Sequence, residues 1–255
     1  MRVVKAKKHL GQHFLTDEGI AQKIGETLIH QDKYDGIVEV GPGMGMMTKY
    51  VKAAYPDHEL KLIELDRDSV AYLGEHYSDI PVINEDFLGM NIKGLFDGQF
   101  AVIGNYPYNI SSQIIFKVLE NKEFIPEMTG MFQKEVAERI CEGPGNKTYG
   151  VISVLIQAYY DAEYLFTVDE HVFNPPPKVK SGVLRLTRRD DPISCDHGAF
   201  RQVVKMSFNQ RRKMLRKSLK SLFTSEQLTQ EIFTKRPEQL SVDQFVGLVE
   251  MREDL

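Results

Sequence analysis

The feature that most constrains the fold is a regular alternation, between residues 36 and 187, of short apolar runs with amphipathic stretches. The apolar runs are rich in Val, Ile and Phe, which favour strands. They predict strands at residues 37–40, 60–65, 82–83, 100–103, 127–132, 164–168 and 183–186. Between them, stretches such as residues 111–120 predict helices, because their apolar side chains fall on one helical face. This order is typical of an α/β fold with a mostly parallel sheet.

The pattern changes near residue 190, where Arg188-Arg189-Asp190-Asp191-Pro192 interrupts the alternation. Beyond this segment the periodicity is helical only, at residues 197–222, 225–233 and 241–251. Ser225 and Ser241 stand at the predicted N-caps of the last two helices. We therefore predict two domains, an α/β domain over residues 1–190 and a small all-helical domain over residues 191–255.

Length and composition exclude several classes of protein. The chain has 255 residues, of which 42% are hydrophobic, and a net charge of −4. No apolar run reaches the roughly 20 residues of a membrane helix, and no signal peptide follows the basic N-terminus, so we expect a cytoplasmic protein without membrane association. Cys141 and Cys195 lie far apart and outside metal-type spacings. We therefore expect neither a disulfide nor a metal site.

Basic residues are concentrated in two segments although the net charge is negative. The first is the N-terminal arm, with Arg2, Lys5, Lys7 and Lys8. The second lies in the predicted helix 197–222 and includes Arg211, Arg212, Lys213 and Arg216. Helical spacing would place Arg212 and Arg216 on one face. Such clusters serve solubility or bind nucleic-acid phosphates, and the charges alone do not decide between the two.

A glycine-rich turn, Glu39-Val40-Gly41-Pro42-Gly43-Met44-Gly45, follows the first predicted strand. Gly41 and Gly43 would let the backbone approach a bound nucleoside closely before a helix begins. A dinucleotide-binding turn has the form G-x-G-x-x-G, but Met46 stands where its last glycine belongs. With its preceding acidic residue, the turn resembles instead the first motif of class I methyltransferases, whose cofactor is S-adenosylmethionine.

Carboxylates follow the next two predicted strands. Glu64 lies about 20 residues beyond the glycines, where a carboxylate can accept hydrogen bonds from both ribose hydroxyls. Asp86 follows the third strand and is suited to accept from the amino group of the cofactor adenine. Each carboxylate alone is more often a solvated charge at a strand end. Their occurrence at successive strand ends beside one glycine turn favours a cofactor site.

The fourth predicted strand leads into Asn105-Tyr106-Pro107-Tyr108, which resembles the [DN]-x-P-Y motif of adenine amino-group methyltransferases. The adenine N6 lone pair is delocalised into the ring, so the amine is a poor nucleophile. Two acceptors, the side-chain oxygen of Asn105 and a backbone carbonyl, can each take an N6 hydrogen and favour a pyramidal amine. Pro107 stiffens the turn, and Tyr108 can stack on the base.

A target base must leave its helix to reach such a site, so its second face also needs cover. Phe173 precedes the rigid run Pro175-Pro176-Pro177 and is a candidate for this second stacking ring. A packed loop aromatic is the alternative interpretation.

Five segments together resemble the KsgA family of ribosomal RNA adenine dimethyltransferases, and the resemblance covers essentially the whole chain. These segments are Gly11-Gln12-His13-Phe14-Leu15, the glycine turn, Asn105-Tyr106-Pro107-Tyr108, residues 173–181 and residues 208–216. The resemblance implies a Rossmann-like class I methyltransferase domain with a small all-helical C-terminal domain. It also implies dimethylation of two adjacent adenosines in the hairpin loop near the 3′ end of 16S rRNA, in an assembling small ribosomal subunit. We therefore predict that basic residues of both segments bind rRNA phosphates, namely Lys5, Lys7, Lys8, Arg211, Arg212, Lys213 and Arg216. We expect the protein to be a monomer.

The resemblance further implies which residues contact the cofactor: His13, Leu15, Gly41, Glu64, Asp86 and Asn105. Tyr106 would contribute the backbone carbonyl used in catalysis. Two positions depart from the usual pattern, since His13 replaces Asn and Tyr106 replaces Leu. The first departure affects a side-chain contact to the cofactor, and the second alters the pocket wall.

Two other functions are weighed against this one. Erm-type enzymes dimethylate one adenine of 23S rRNA and share the glycine turn and the N-x-P-Y motif, but their resemblance ends before residues 173–181 and 208–216. The second rival is a non-catalytic assembly or transcription factor on the same scaffold. Intact Glu64, Asp86 and Asn105 argue against a loss of catalysis.

Overall fold

A mixed seven-stranded sheet forms the centre of the fold in the computed structural model, which describes residues 4–253. The strands are β1 (Phe14–Leu15), β2 (Gly36–Val40), β3 (Glu59–Ile63), β4 (Val82–Ile83), β5 (Phe100–Asn105), β6 (Glu127–Gln133), β7 (Tyr160–Val168), β8 (Phe173–Asn174) and β9 (Ser181–Arg188). The sheet order is β4-β3-β2-β5-β6-β9-β7, while β1 and β8 form a separate pair. The first five strands of this order, from β4 through β3, β2 and β5 to β6, are parallel to one another, and β9 is antiparallel to β6. The predicted α/β fold is confirmed.

Buried apolar runs explain the position of the central strands. Every residue of β2 is buried, and so are the first five residues of β5. A parallel strand covered on both faces needs such a continuous apolar run. Because parallel strands end at the same edge, the residues that follow β2, β3, β4 and β5 meet there. The glycine turn, Glu64, Asp86 and Asn105 therefore share one edge of the sheet.

The structure revises the ends of several predicted strands. β3 ends at Ile63, two residues earlier than predicted, so Glu64 and Leu65 follow the strand. β7 begins at Tyr160 rather than at residue 164, and β9 extends from Ser181 to Arg188. Periodicity predicted these strands but placed their ends less accurately, because pairing with a neighbouring strand decides where each strand ends.

The helices pack around this sheet and in the C-terminal part of the chain. They are α1 (Glu18–Gly25), α2 (Thr48–Ala54), α3 (Arg67–His76), α4 (Ser111–Glu120), α5 (Lys134–Cys141), α6 (Val151–Gln157), α7 (His197–Asn209), α8 (Leu215–Ser218) and α9 (Val242–Glu253). The bounds predicted for α4 are confirmed. Within the described residues, no helix is long and apolar enough to cross a membrane.

The chain divides into two compact units. The first comprises residues up to Ala137 together with Glu163–Arg188, and the second comprises Glu138–Ala162 together with residues from Arg189 onward. The predicted division near residue 190 lies beside the last change of unit. The sequence did not indicate that Glu138–Ala162 belongs to the second unit, because α6 contributes its buried face to α7, which lies about 45 residues later in the chain.

The prediction of one continuous helix over residues 197–222 is wrong. α7 ends at Asn209, and α8 begins only at Leu215. The backbone N–H of Leu215 donates to the Lys235 carbonyl (2.9 Å), and the Arg211 guanidinium donates to the Tyr149 carbonyl (2.7 Å). The first contact replaces the helical hydrogen bond of the Leu215 N–H, and the second ties the Arg211 side chain to a distant segment. Arg212 and Arg216 consequently do not share a helical face.

Two N-caps were predicted in the C-terminal part of the chain, and one of these predictions is confirmed while the other is wrong. Ser241 caps α9, since its Oγ accepts from the Gln244 N–H (3.2 Å). Residues 225–233, in contrast, form two 3-10 turns, Gln227–Thr229 and Glu231–Thr234. The capping side chain there is Thr224, whose Oγ1 accepts from the Gln227 N–H (3.2 Å), and not Ser225.

Close packing behind β5 fixes where that strand delivers the Asn105 motif. The Tyr106 ring lies against Phe132 (centroids 4.7 Å apart), and its hydroxyl donates to the Thr129 carbonyl (2.7 Å). A Cβ added at Gly130 would lie 2.2 Å from the Gly104 carbonyl oxygen and 2.5 Å from the Tyr106 ring. Gly130 also has a φ of +144°, which L side chains rarely adopt.

We expect Gly130→Ala to lower the free energy of unfolding by about 2 kcal/mol or more, because of this overlap and the backbone strain. Urea denaturation measures the change. Gly74→Ala is the matched control, since an added Cβ there, on α3, meets nothing within 4 Å. It should stabilise the protein by up to about 1 kcal/mol, and equal effects of the two substitutions would contradict the packing argument.

Candidate active site

A cavity of about 280 Å³ lies in the first unit, at the edge of the sheet where the parallel strands end. It is lined by the arm residues 9–14, by the glycine turn, and by residues that follow β3, β4 and β5. Six residues predicted to contact the cofactor line it: His13, Gly41, Gly43, Glu64, Asp86 and Asn105. Tyr106, Pro107 and Tyr108 line it as well. A cavity of this size, mostly apolar with a few convergent polar groups, suits a small-molecule ligand.

The glycine turn bends through left-handed backbone conformations, with φ of +69° at Gly41 and +59° at Gly43. A side chain at Gly43 would also meet the Phe14 ring at 2.9 Å. Only glycine fits these two conditions without strain. The turn therefore presents bare backbone to the cavity.

Glu64 holds this turn in place. Its carboxylate accepts hydrogen bonds from the N–H of Gly43 (3.0 Å) and from the N–H of Asp66 (2.8 Å). Glu64 is 5% exposed, and its burial raises the pKa of the carboxyl group. Each carboxylate oxygen has a second lone pair, so Glu64 can still accept from a ligand hydroxyl in the cavity. The sequence does not predict the hydrogen bonds that tie Glu64 to the turn.

Asp86 is exposed on the loop after β4, and its Oδ1 accepts from the Leu88 N–H (3.0 Å). This loop is held by Lys117 of α4, whose Nζ donates to the carbonyls of Leu88 (3.1 Å) and Met90 (2.7 Å). Lys117 is a site-supporting residue that the sequence analysis missed. A lysine among the apolar residues of an amphipathic helix was the only signal, and it did not indicate a partner.

The side chain of Asn105 is oriented by the N-terminal arm. Its Nδ2 donates to the backbone carbonyl of His13 (3.0 Å), which leaves Oδ1 as the side-chain atom able to accept. Asn105 is the last residue of β5, and the Tyr106 N–H that follows donates to the Met131 carbonyl (3.2 Å). The Tyr106 side chain is buried behind the strand, and the residue also contributes to the wall of the cavity.

Tyr108 is held on two sides. Its hydroxyl hydrogen-bonds the Ser181 hydroxyl, and its ring stacks on the His13 ring with centroids 5.6 Å apart. Burial raises the pKa of Tyr108, so the phenol stays neutral. A ring fixed in this way can act as a stacking platform.

Two predicted contacts are not brought to this cavity. Phe173 is 4% exposed and packs in the core of the first unit, on a strand paired with β1, a position that does not support the predicted contact with a base. Leu15 is opposite Phe173 in this pair and equally buried. It lines a second cavity, of about 240 Å³, on the other side of the glycine turn.

The basic arm makes intramolecular contacts. Lys7 Nζ pairs with Asp66 and with Asp68 (2.8 Å), and Gln12 donates to Asp66 (3.3 Å). Asp66 thereby links the arm to the loop that Glu64 holds. Lys5 and Lys8 are exposed, whereas Arg2 lies outside the described residues.

The basic cluster of the second unit is also divided. Arg211 is partly buried and donates to backbone carbonyls of Tyr149 and Asn146. Arg212, Lys213 and Arg216 are exposed. Arg211 therefore supports the fold, whereas the other three side chains face solvent.

Glu39, at the start of the glycine turn, is a buried carboxyl group beside the second cavity. Its Oε2 accepts from the Thr48 hydroxyl (2.7 Å). The pKa of Glu39 is raised to about 7, chiefly by burial, while the Thr48 hydrogen bond lowers it and the nearby Glu64 carboxylate adds to the rise. The folded protein therefore binds a proton at Glu39 more tightly than the unfolded chain does.

Comparisons with known proteins agree with this geometry. The family described as "Ribosomal RNA adenine dimethylase" matches residues 3–252. The chain is 56% identical to "Ribosomal RNA small subunit methyltransferase A" of Flavobacterium johnsoniae, over 99% of this chain and 98% of that protein. It is 55% identical to the protein of the same name from Bacteroides thetaiotaomicron, over 100% of this chain and 96% of that one.

Two solved structures share the fold. The crystal structure of a dimethyladenosine transferase from Plasmodium falciparum superposes with a TM-score of 0.78 at 22% identity, covering 94% of this chain and 98% of that chain. The structure of the 23S rRNA methyltransferase ErmE gives a TM-score of 0.70 at 25% identity, covering 95% and 100%.

We expect the raised pKa of Glu39 to make stability depend on pH. A carboxyl whose pKa is higher in the folded state stabilises the fold below its ordinary pKa, and this contribution is lost as pH rises through the folded value. Between about pH 5 and about pH 8, the parent should lose up to about 3 kcal/mol more unfolding free energy than Glu39→Gln. Chemical denaturation at each pH measures this, and parallel pH profiles would contradict the assignment.

Proposed function

Because this chain belongs to the ribosomal RNA adenine dimethylase family, we propose that it is an S-adenosylmethionine-dependent methyltransferase that N6,N6-dimethylates two adjacent adenosines of 16S rRNA. The target is the hairpin loop near the 3′ end, in an assembling small ribosomal subunit. The observation that carries the proposal is the orientation of Asn105, whose donor is taken by the His13 carbonyl while Oδ1 remains an acceptor at the cavity. We further propose that the enzyme acts as a monomer in the cytoplasm.

The residues around the cavity fit S-adenosylmethionine. Glu64 offers lone pairs to the ribose hydroxyls, and Asp86 offers a carboxylate to the adenine amino group. Leu65, which is 50% exposed and lines the cavity, offers an apolar surface to the adenine ring. The arm at His13, together with Gly41, Gly43 and Asn105, would enclose the methionine end. No metal takes part in this proposal.

The reaction needs a nucleophilic N6, and the motif provides it through two acceptors. The cofactor, when bound, supplies a methyl group on a sulfonium centre. Asn105 Oδ1 and the Tyr106 backbone carbonyl accept the two N6 hydrogens, which favours a pyramidal nitrogen whose lone pair faces that methyl group. Tyr108 stacks on the flipped base, and Pro107 restricts the turn between them. The resulting ammonium is acidic and loses its proton to water.

The second methyl transfer follows from the same arrangement. After one transfer N6 retains a single hydrogen, so one acceptor holds it while the first methyl group takes the place of the other hydrogen. Because the two acceptors are on separate groups, both methyl transfers can occur with β5 in the same position.

Binding of the RNA is assigned mainly to exposed cations. In the second unit these are Arg212, Lys213 and Arg216, and in the arm they are Lys5 and Lys8. Arg211 and Lys7, which the sequence also predicted to bind RNA, have partners within the protein. Exposed lysine and arginine side chains bind phosphates by releasing condensed counterions, so the interaction weakens as salt rises.

The test of the proposed function is Asn105→Ala. Loss of a preorganised polar contact at a reacting centre costs about 3–4 kcal/mol, so the single-turnover methylation rate should fall by roughly two to three powers of ten. The assay uses small subunits that lack the modification, at saturating cofactor and RNA, so that binding effects do not contribute.

Mapping the nucleotides that the parent enzyme modifies, on unmodified small and large subunits offered separately, supplies the control. Dimethylation at 23S rRNA instead of 16S rRNA would support an Erm-type activity, and no methyl transfer at all would support a non-catalytic assembly factor. Near-parental rates for Asn105→Ala would mean that another residue positions N6.

We also expect the triple substitution of Arg212, Lys213 and Arg216 by Gln to weaken RNA binding. The slope of log affinity against log salt should become less steep by about 0.9 for each phosphate that the variant no longer neutralises, or about 0.7 on single strands. Affinity for S-adenosylhomocysteine should not change. The matched control replaces three exposed lysines of the first unit, Lys23, Lys52 and Lys93, and alters the net charge equally. If both variants weakened binding alike, the contribution would be net charge and not a specific surface.

A further inference from the structure

We propose that the imidazole of His13 is a positioning residue for the reaction, holding the Tyr108 ring in the orientation that stacks on the target adenine. This inference rests on the proposed function and assigns the side chain to the base site rather than to the cofactor. The backbone of His13 has a separate task, because its carbonyl orients the Asn105 amide (3.0 Å).

The contacts of the His13 ring are the first support. The ring stacks on Tyr108 with an interplanar angle of 28° and a centroid distance of 5.6 Å. Its Nδ1 lies 2.7 Å from the Pro175 carbonyl oxygen. A carbonyl oxygen only accepts, so Nδ1 carries the hydrogen and donates it. The hydrogen bond fixes the rotation of the imidazole, and the stack transfers that constraint to the tyrosine.

The far end of Tyr108 is held independently. Its hydroxyl hydrogen-bonds the Ser181 hydroxyl, at the first residue of β9. With the hydroxyl anchored and part of one face covered by His13, the phenol ring has lost most of its freedom before a base arrives. A platform ordered in advance saves the entropy that base binding would otherwise cost.

The position of His13 in the chain makes this arrangement stable. His13 directly precedes β1, and Phe14 on β1 pairs with Asn174 on β8. Pro175, the hydrogen-bond acceptor of the imidazole, directly follows Asn174. The short β1–β8 pair thus fixes both ends of the His13 hydrogen bond, which joins residues 162 positions apart in sequence.

Two variants of His13 separate the effect of its ring from the effect of its hydrogen bond, and a third variant is the control. His13→Phe keeps an aromatic ring beside Tyr108 but removes the donor, while His13→Leu removes both, and neither changes the backbone carbonyl. His76→Leu is the matched control, since His76 also stacks on a tyrosine, Tyr72 (3.9 Å), and bonds a carbonyl through Nδ1 (2.9 Å), outside the Asn105 motif.

Single-turnover methylation at saturating cofactor and subunits should fall about tenfold for His13→Leu and only about two- to threefold for His13→Phe, as expected for an aromatic contact. The His76→Leu rate should equal that of the parent. Affinity for S-adenosylhomocysteine, measured by calorimetry, should stay within about twofold in all variants if the side chain does not hold the cofactor.

A double-mutant cycle with Tyr108→Leu tests whether His13 acts through Tyr108. If it does, His13→Leu should have little further effect on the rate in the Tyr108→Leu background. Additive losses would overturn the proposal. So would parental single-turnover rates combined with a tenfold loss of S-adenosylhomocysteine affinity, which would return the side chain to the cofactor.

The experiments distinguish a wrong assignment of the reaction from a wrong assignment of the His13 side chain. A parent enzyme that transfers no methyl group to the subunits would contradict the proposed function. An active parent whose His13 variants keep parental rates would overturn only the positioning role of His13.

Discussion

The rest of the site depends on the hydrogen bonds of the buried Glu64 carboxylate. It accepts the backbone N–H of Gly43 on one side and of Asp66 on the other, which joins the glycine turn after β2 to the loop after β3. Asp66 in turn binds Lys7 and Gln12 of the arm. A buried carboxylate is costly unless it is hydrogen-bonded, and these N–H groups satisfy it. The group proposed to hold the ribose therefore also organises the backbone around it.

The arm connects the loop after β3 with the Asn105 motif. Lys7 and Gln12 attach the arm to the loop after β3, and His13 then contacts Asn105 through its carbonyl and Tyr108 through its ring. An amide side chain can present either its donor or its acceptor, and the His13 carbonyl selects the orientation in which the acceptor remains for the substrate. The chemistry of the motif thus depends on a segment about 90 residues earlier in the chain.

The two basic segments show how tertiary contacts change the meaning of a charge pattern. Lys7 and Arg211 looked equivalent to their basic neighbours in the sequence, but each has partners inside its own unit. Arg211 binds carbonyls of the segment that precedes α6, so it helps to end α7 where periodicity predicted a continuous helix. In the second segment the exposed cations that remain, Arg212, Lys213 and Arg216, lie on a turn and a short helix.

The sequence by itself determined the α/β class, the central strands and the set of polar residues at their ends. This information is local, because apolar periodicity reports which face of a segment is buried, and parallel strands bring their carboxyl ends to one edge. Tertiary structure alone decided the burial of Phe173, the inward turn of Tyr106, the break at residues 210–214 and the partners of Lys7, Lys117 and His13. Each of these depends on a hydrogen bond or packing contact between segments distant in sequence, such as His13 and Pro175, and local patterns carry no record of such partners.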